Sequence, residues 1–116
     1  NPLITLPKRI ADENNVYHLF PVLVKKSSLS YRESMETREY RHLLQNYLAE
    51  HGMGTVIHYP IPPHKQECYA KEAWNIPQLS LPITEMLADC ELSLPISPCM
   101  TKEQIEYVIE KLNEFL

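Results

Sequence analysis

Glycine is almost missing from this chain, with two residues in 116. Loops that cradle phosphate on backbone N–H groups need more than that, and no G-x-G-x-x-G, P-loop, G-x-S-x-G or H-E-x-x-H pattern occurs. Cysteine is scarce too. Cys68, Cys90 and Cys99 are an odd number without a C-x-x-C pair, which argues against a disulfide framework and reads as reduced packing thiols in a cytoplasmic protein. An excess of positive charge is also lacking: eleven basic residues face fifteen acidic ones, for a net charge of −4. Nucleic-acid modules draw most of their affinity from a basic stripe, and here Arg38 and Arg41 are interleaved with Glu36 and Glu39. No apolar run approaches the ~18 residues of a membrane span, and the start lacks the basic-then-apolar layout of a signal peptide. Neither nucleic acid nor membrane is therefore an expected partner.

What is present is an ordinary globular composition, 44% hydrophobic and 22% charged, with a conspicuous ten prolines. The length suits one domain with its own core. A self-contained cofactor-dependent transferase usually takes two or more domains, so a chain of this length from such an enzyme is expected to be a piece of it. The first residue, Asn1 and not Met, points the same way.

Along the chain, residues 1–15 show no periodicity and are punctuated by Pro2 and Pro7, as in a connector. Residues 16–24 read as a strand apolar on both faces, with Pro21 demanding an edge or a bulge. Residues 25–36 are polar and read as a loop. A helix is predicted over residues 37–51 from the stripe Tyr40, Leu43, Leu44, Tyr47 and Leu48, ended by Gly52 in a left-handed cap. A second strand is predicted over residues 54–58 and a third over residues 92–96. Short helices are predicted over residues 64–73 and 83–90, with residues 74–82 irregular between them. The last helix opens on a capping box, Thr101 with Gln104, before Ile105, Val108, Ile109, Leu112, Phe115 and Leu116. The order β, α, β, α, α, β, α predicts a small α/β or α+β layer domain: about three strands, largely antiparallel, with helices packed on them.

The stretch that can carry chemistry is His58-Tyr59-Pro60-Ile61-Pro62-Pro63-His64-Lys65-Gln66. Its prolines fix φ and hold residues 59–63 extended, so polar side chains lose little freedom when a ligand arrives. His58 and His64 can donate to phosphate or hydroxyl groups, and Tyr59 can stack or hydrogen-bond. The alternative is a structural turn with exposed histidines. A metal set of His58, His64 and Cys68 has no standard ligand spacing, so no metal is expected. His18, alternating with Val16, Phe20 and Val22, is expected as a satisfied core histidine.

These residues carry a resemblance. The run GMGTVIHYPIPPHKQ (52–66) resembles a signature near the C-terminus of the DegT/DnrJ/EryC1/StrS sugar aminotransferases. VYHLF (16–20) is similar to the first strand of that family's small domain, and ELSLPISP (91–98) with the final helix to its closing segment. PPHKQ (62–66) and LPITE (81–85) look most like the members that aminate C3 of a nucleotide-linked 3-keto-6-deoxyhexose. Residues 27–36 look like an insertion relative to the family.

The resemblance implies the small C-terminal domain (16–116) of a two-domain, fold-type-I aminotransferase, with residues 1–15 as the connector from a large domain. It further implies a pyridoxal phosphate cofactor held by that large domain and an amino donor, expected to be glutamate. The acceptor is implied to be a nucleotide-linked keto-sugar of cell-surface polysaccharide or lipopolysaccharide biosynthesis, and the full-length enzyme a homodimer. None of Lys8, Lys25, Lys26, Lys65, Lys71, Lys102 and Lys111 lies in the family's Schiff-base motif, so no catalytic residue is expected in this chain. His58, Tyr59 and His64 are the implied substrate-binding residues. A free-standing ligand-binding or regulatory module is the competing expectation.

Overall fold

The computed structural model describes residues 1–8, 15–24, 34–69 and 79–115, without the side chains of residues 34–36. Three antiparallel strands form one sheet in the order β1 (Ile4–Thr5), β2 (Phe20–Val24), β3 (Glu91–Leu94). Among the described residues three helices accompany it: α1 (Ser34–Glu50), α2 (Pro82–Cys90) and α3 (Lys102–Glu114). The α+β class and the strand number agree with the sequence reading, but the membership of the sheet differs. Ile4–Thr5, in the segment read as connector, supplies a strand, whereas residues 54–58 supply only one bridge, Val56 to Ser93.

Proline explains how far β1 reaches. Thr5 pairs with Leu23, and the same register continued would set Pro7 opposite Pro21. Neither has an N–H to give, so the ladder stops. Pro21 thus sits where β2 has a partner only on its β3 side, opposite Ser93. The regular strand begins at Phe20 and not at residue 16. Val16 and His18 are consequently exposed, which corrects the expectation of a core histidine.

The side chains of β2 and β3 alternate, as the pleat requires. Val22 faces Leu92 across the ladder and Phe20 faces Leu94; Val22, Val24, Leu92 and Leu94 build the core with Leu44 and Leu48 of α1, Met53 and Val108 of α3. The other parity of β3 carries Glu91 and Ser93, both buried. Among the described residues the buried positions of α1 are Thr37, Arg41, Leu44 and Leu48, a stripe at i, i+4, i+7 and i+11. Leu43, expected in the core, is exposed.

The helix ends behave as local chemistry dictates. Gly52 takes φ +76°, Gly52 N–H donates to Ala49 O at 2.9 Å and Met53 N–H to Leu48 O at 2.9 Å, which closes α1 in a Schellman motif. Thr101 accepts from Gln104 N–H, and Gln104 accepts in return from Thr101 N–H at 2.9 Å. Asn1 ties the start of the chain to the end of α3, its amide nitrogen donating to Leu112 O and Phe115 O at 2.6 Å each. The predicted helix over residues 64–73 is instead two 3-10 turns, Pro63–Lys65 and Glu67–Tyr69; residues 70–78 lie outside the described residues, as do 25–33 of the predicted loop. No helix among the described residues is long and apolar enough to cross a membrane. Cys68, Cys90 and Cys99 form no disulfide.

Candidate functional site

The loop from Gly54 to Gln66 leaves the Val56 bridge, runs beside the polar side of β3 and turns back at Pro63. His58 is fastened to that strand by two bonds. Its backbone N–H donates to Glu91 Oε2 at 2.6 Å, and its ring Nδ1 lies 2.9 Å from Ser93 Oγ. The Ser93 hydroxyl in turn donates to Glu91 Oε1 at 2.6 Å. Both carboxylate oxygens of Glu91 are thereby engaged, so a buried charged group is satisfied without a cation at hydrogen-bond distance. The His58–Tyr59 peptide is cis, and the Tyr59 ring stands perpendicular to the imidazole, 5.3 Å between centroids. Tyr59 itself is 70% exposed.

His64 is placed differently. Its side chain is buried, and Nε2 meets Glu85 Oε1 of α2 at 3.0 Å. Lys65 Nζ reaches the other oxygen of Glu85 at 2.6 Å, and Leu81 N–H donates to Oε1 at 3.1 Å. Lys65 first, then His64 and the Leu81 amide, hold the Glu85 carboxyl well down, at about 2. The His64 Nδ1 is buried without a hydrogen-bond partner. The proline segment between the histidines is extended as predicted: Pro62 has φ −58° and ψ 144°. The structure therefore brings His58 and Tyr59 together and hands His64 to a second cluster with Glu85 and Lys65. Cys68 is exposed and turned to Gln66, so His58, His64 and Cys68 do not converge. Among the described residues no group of three His, Cys, Asp or Glu side chains can hold a metal ion.

Two partners of His58 escape a reading based on motifs. Glu91 and Ser93 alternate with Leu92 and Leu94, and that period of two is the signal that both polar groups share one face of a strand. Glu85 has no such mark, because only the fold returns α2 to the loop. Arg41 is a further buried group that hydrophobicity passes over. It is 2% exposed, with Nη1 donating to Ala88 O at 2.5 Å and Nη2 3.2 Å from His42 Nε2. Burial, followed by nearby Arg38, pushes its guanidinium below the ordinary value, while Asp89 and Glu91 oppose that.

A Schiff-base anchor for pyridoxal phosphate needs an amine free to bond the cofactor's carbonyl carbon. Among the described residues Lys65 is taken up by Glu85 and Lys111 by Glu110 and Glu114, whereas Lys102 and Lys8 lie exposed on the surface, Lys102 facing Glu106. What the described site can do is bind and orient.

Residues 2–113 match the model of the DegT/DnrJ/EryC1/StrS aminotransferase family. The dTDP-3-amino-3,6-dideoxy-alpha-D-galactopyranose transaminase of Aneurinibacillus thermoaerophilus is 43% identical over 115 residues, 99% of this chain and 27% of that protein. The dTDP-3-amino-3,4,6-trideoxy-alpha-D-glucose transaminase of Streptomyces venezuelae is 35% identical over 98% of this chain and 26% of its own length. A crystal structure of S. venezuelae DesV in complex with a ketimine intermediate superposes with a TM-score of 0.74 at 36% identity, covering 97% of this chain and 26% of that one. The chain thus spans about a quarter of the length of the relatives it matches. With nearly every residue inside the family match, the chain belongs to the DegT/DnrJ/EryC1/StrS aminotransferase family.

Proposed function

We propose that this chain works as the small domain of a pyridoxal-phosphate-dependent aminotransferase that moves an amino group, from glutamate, onto a nucleotide-linked keto-deoxysugar. A 3-keto-6-deoxyhexose is the favoured acceptor, since the two relatives named above are transaminases of dTDP-linked 3-amino-deoxysugars. The cofactor, which supplies the electron sink for amino transfer, belongs in this reading to the rest of the full-length protein, as does its lysine. Residues 1–15 are then the entry from that part, with Ile4–Thr5 already paired into this domain's sheet. The whole enzyme works as a homodimer in the cytoplasm, feeding cell-surface polysaccharide or lipopolysaccharide synthesis.

The observation that carries the reading is the fastening of His58 beside an exposed Tyr59. A histidine whose ring and backbone are both tied to a strand is oriented before any ligand arrives, which saves ordering entropy on binding. Tyr59 adds a face on which a sugar or base can lie. His64 contributes by locking the end of the proline segment to α2.

The decisive variant is His58→Ala in the full-length protein. The backbone N–H to Glu91 survives this change, and Ser93 keeps its bond to Glu91, so folding is expected to lose only about 1 kcal/mol. The kcat/KM for the nucleotide-sugar is expected to fall by on the order of 10- to 100-fold. Parallel losses of unfolding midpoint and of activity, measured side by side, would return the loop to a structural role. Likewise the 116-residue chain alone is expected to show no lysine-bound cofactor absorbance with pyridoxal phosphate; its appearance contradicts the assignment of the cofactor elsewhere.

A further inference from the structure

Hydrogen bonds in a chain have a direction, and one end of this chain sets it. The Glu91 carboxylate has no proton to give, so the Ser93 hydroxyl must spend its single proton on Oε1 at 2.6 Å. Ser93 Oγ is left as an acceptor, 2.9 Å from His58 Nδ1. Nδ1 must then carry the ring proton. In the neutral imidazole this leaves Nε2 as a bare lone pair. Nε2 has no hydrogen-bond partner among the described residues, and His58 is only half-buried.

We infer that Glu91 and Ser93 are positioning residues that fix the tautomer of His58, so that the ring offers a hydrogen-bond acceptor at Nε2 and selects a donor group on the ligand. The fitting chemistry is a sugar hydroxyl or amino group. A phosphate oxygen, which only accepts, is refused by the neutral ring. This assignment of a ligand group rests on the reading of His58 as a substrate-binding residue; the tautomer itself does not.

Glu91 is the source of the direction, and an isosteric amide reverses it. In Glu91→Gln the side-chain oxygen must stay with the His58 backbone N–H, which can only donate, and the NH2 therefore faces Ser93. Ser93 Oγ then accepts from the amide and turns its own proton to Nδ1. The imidazole proton moves to Nε2, with the ring in the same place.

The test is nitrogen NMR of the full-length protein carrying 15N-labelled histidine, at about pH 8, where an ordinary imidazole is neutral. The His58 signals are identified by their loss in His58→Gln. The wild type is expected to show the Nδ1–H form, Glu91→Gln the Nε2–H form, and Ser93→Ala a mixture of both. A wild type in the Nε2–H form, or a Glu91→Gln protein that keeps the wild-type form, overturns the inference. Should Glu91→Gln fail to fold, Ser93→Ala decides: a single, unchanged Nδ1–H form overturns it.

Kinetics on the same proteins separate the two levels. Glu91→Gln is expected to raise KM for the nucleotide-sugar by on the order of tenfold while kcat changes less. A swapped tautomer with unchanged KM, beside an unaffected His58→Ala enzyme, would overturn the substrate-binding role and leave the control of the tautomer by Glu91 and Ser93 standing.

Discussion

At the scale of single residues, the polar groups that hold the candidate loop fall into two clusters with different duties. Glu91, Ser93 and His58 form a directed chain behind the loop, whereas Glu85, Lys65 and His64 clamp the loop's far end to α2. The second cluster makes a testable statement about acid stability. Lys65, His64 and the Leu81 amide lower the Glu85 carboxyl from an ordinary 4.5 to about 2, so the folded state holds its proton less tightly than the unfolded one. The stabilisation is complete above about pH 4.5 and is lost as the pH falls towards about 2. Urea midpoints followed from about pH 6 down to pH 2 are expected to converge for wild type and Glu85→Gln at the acid end. Added salt should shrink the difference at neutral pH, because Lys65 is half exposed. A gap between the two proteins that persists unchanged into acid would show that the carboxylate's charge is not what clamps the loop.

Elements owe their limits to short-range chemistry. β1 is two residues long because two prolines meet where the ladder would continue. α3 starts at its capping box. α1 stops at Gly52, whose φ of +76° is a conformation that side chains with a Cβ adopt at a cost. A Cβ there would meet nothing within 4 Å, so Gly52→Ala isolates the backbone term from any clash. The change is expected to destabilise the domain by about 1–2 kcal/mol, read as a lower urea midpoint at unchanged slope. A neutral result would mean that the helix end reshapes around alanine. The Schellman bonds from Gly52 and Met53 also feed Met53 into the core beside Leu48, so this turn sets where the candidate loop departs.

On the scale of the whole molecule, one side of the sheet is closed by α1 and α3, and much apolar surface remains outside. Ile83 and Leu87 repeat at i, i+4 on α2, Ile105 and Ile109 do so on α3, and all four are exposed, Ile83 at 71%. Pairs of this kind on two helices are more than scattered surface residues and fit a domain that packs against further protein. The chain produced alone is expected to self-associate with rising concentration in sedimentation velocity, and Ile105→Lys with Ile109→Lys to weaken this without lowering the unfolding midpoint. A monomer at all concentrations would instead favour a free-standing module.

The sequence alone determined whatever depends on neighbours along the chain. Periodicity placed α2, α3 and most of α1, the capping box marked the start of α3 and Gly52 the end of α1, and the prolines foretold an extended segment after His58. The motif over residues 52–66 carried the family, because its residue types and spacing sit in one continuous stretch. Tertiary structure decided what depends on residues far apart. It put Ile4–Thr5 into the sheet and reduced the expected strand at 54–58 to a single bridge, since pairing follows which edges meet and not local preference. It turned α1 so that Leu44 and Leu48 enter the core, Arg41 is buried against the carbonyl of Ala88 and Leu43 is exposed. It also divided the histidines, giving His58 to Glu91 and Ser93, 33 and 35 residues further on, and His64 to Glu85, 21 residues further on. No local pattern contains those partners, because a hydrogen bond requires two groups within about 3 Å in space and is indifferent to their separation along the chain.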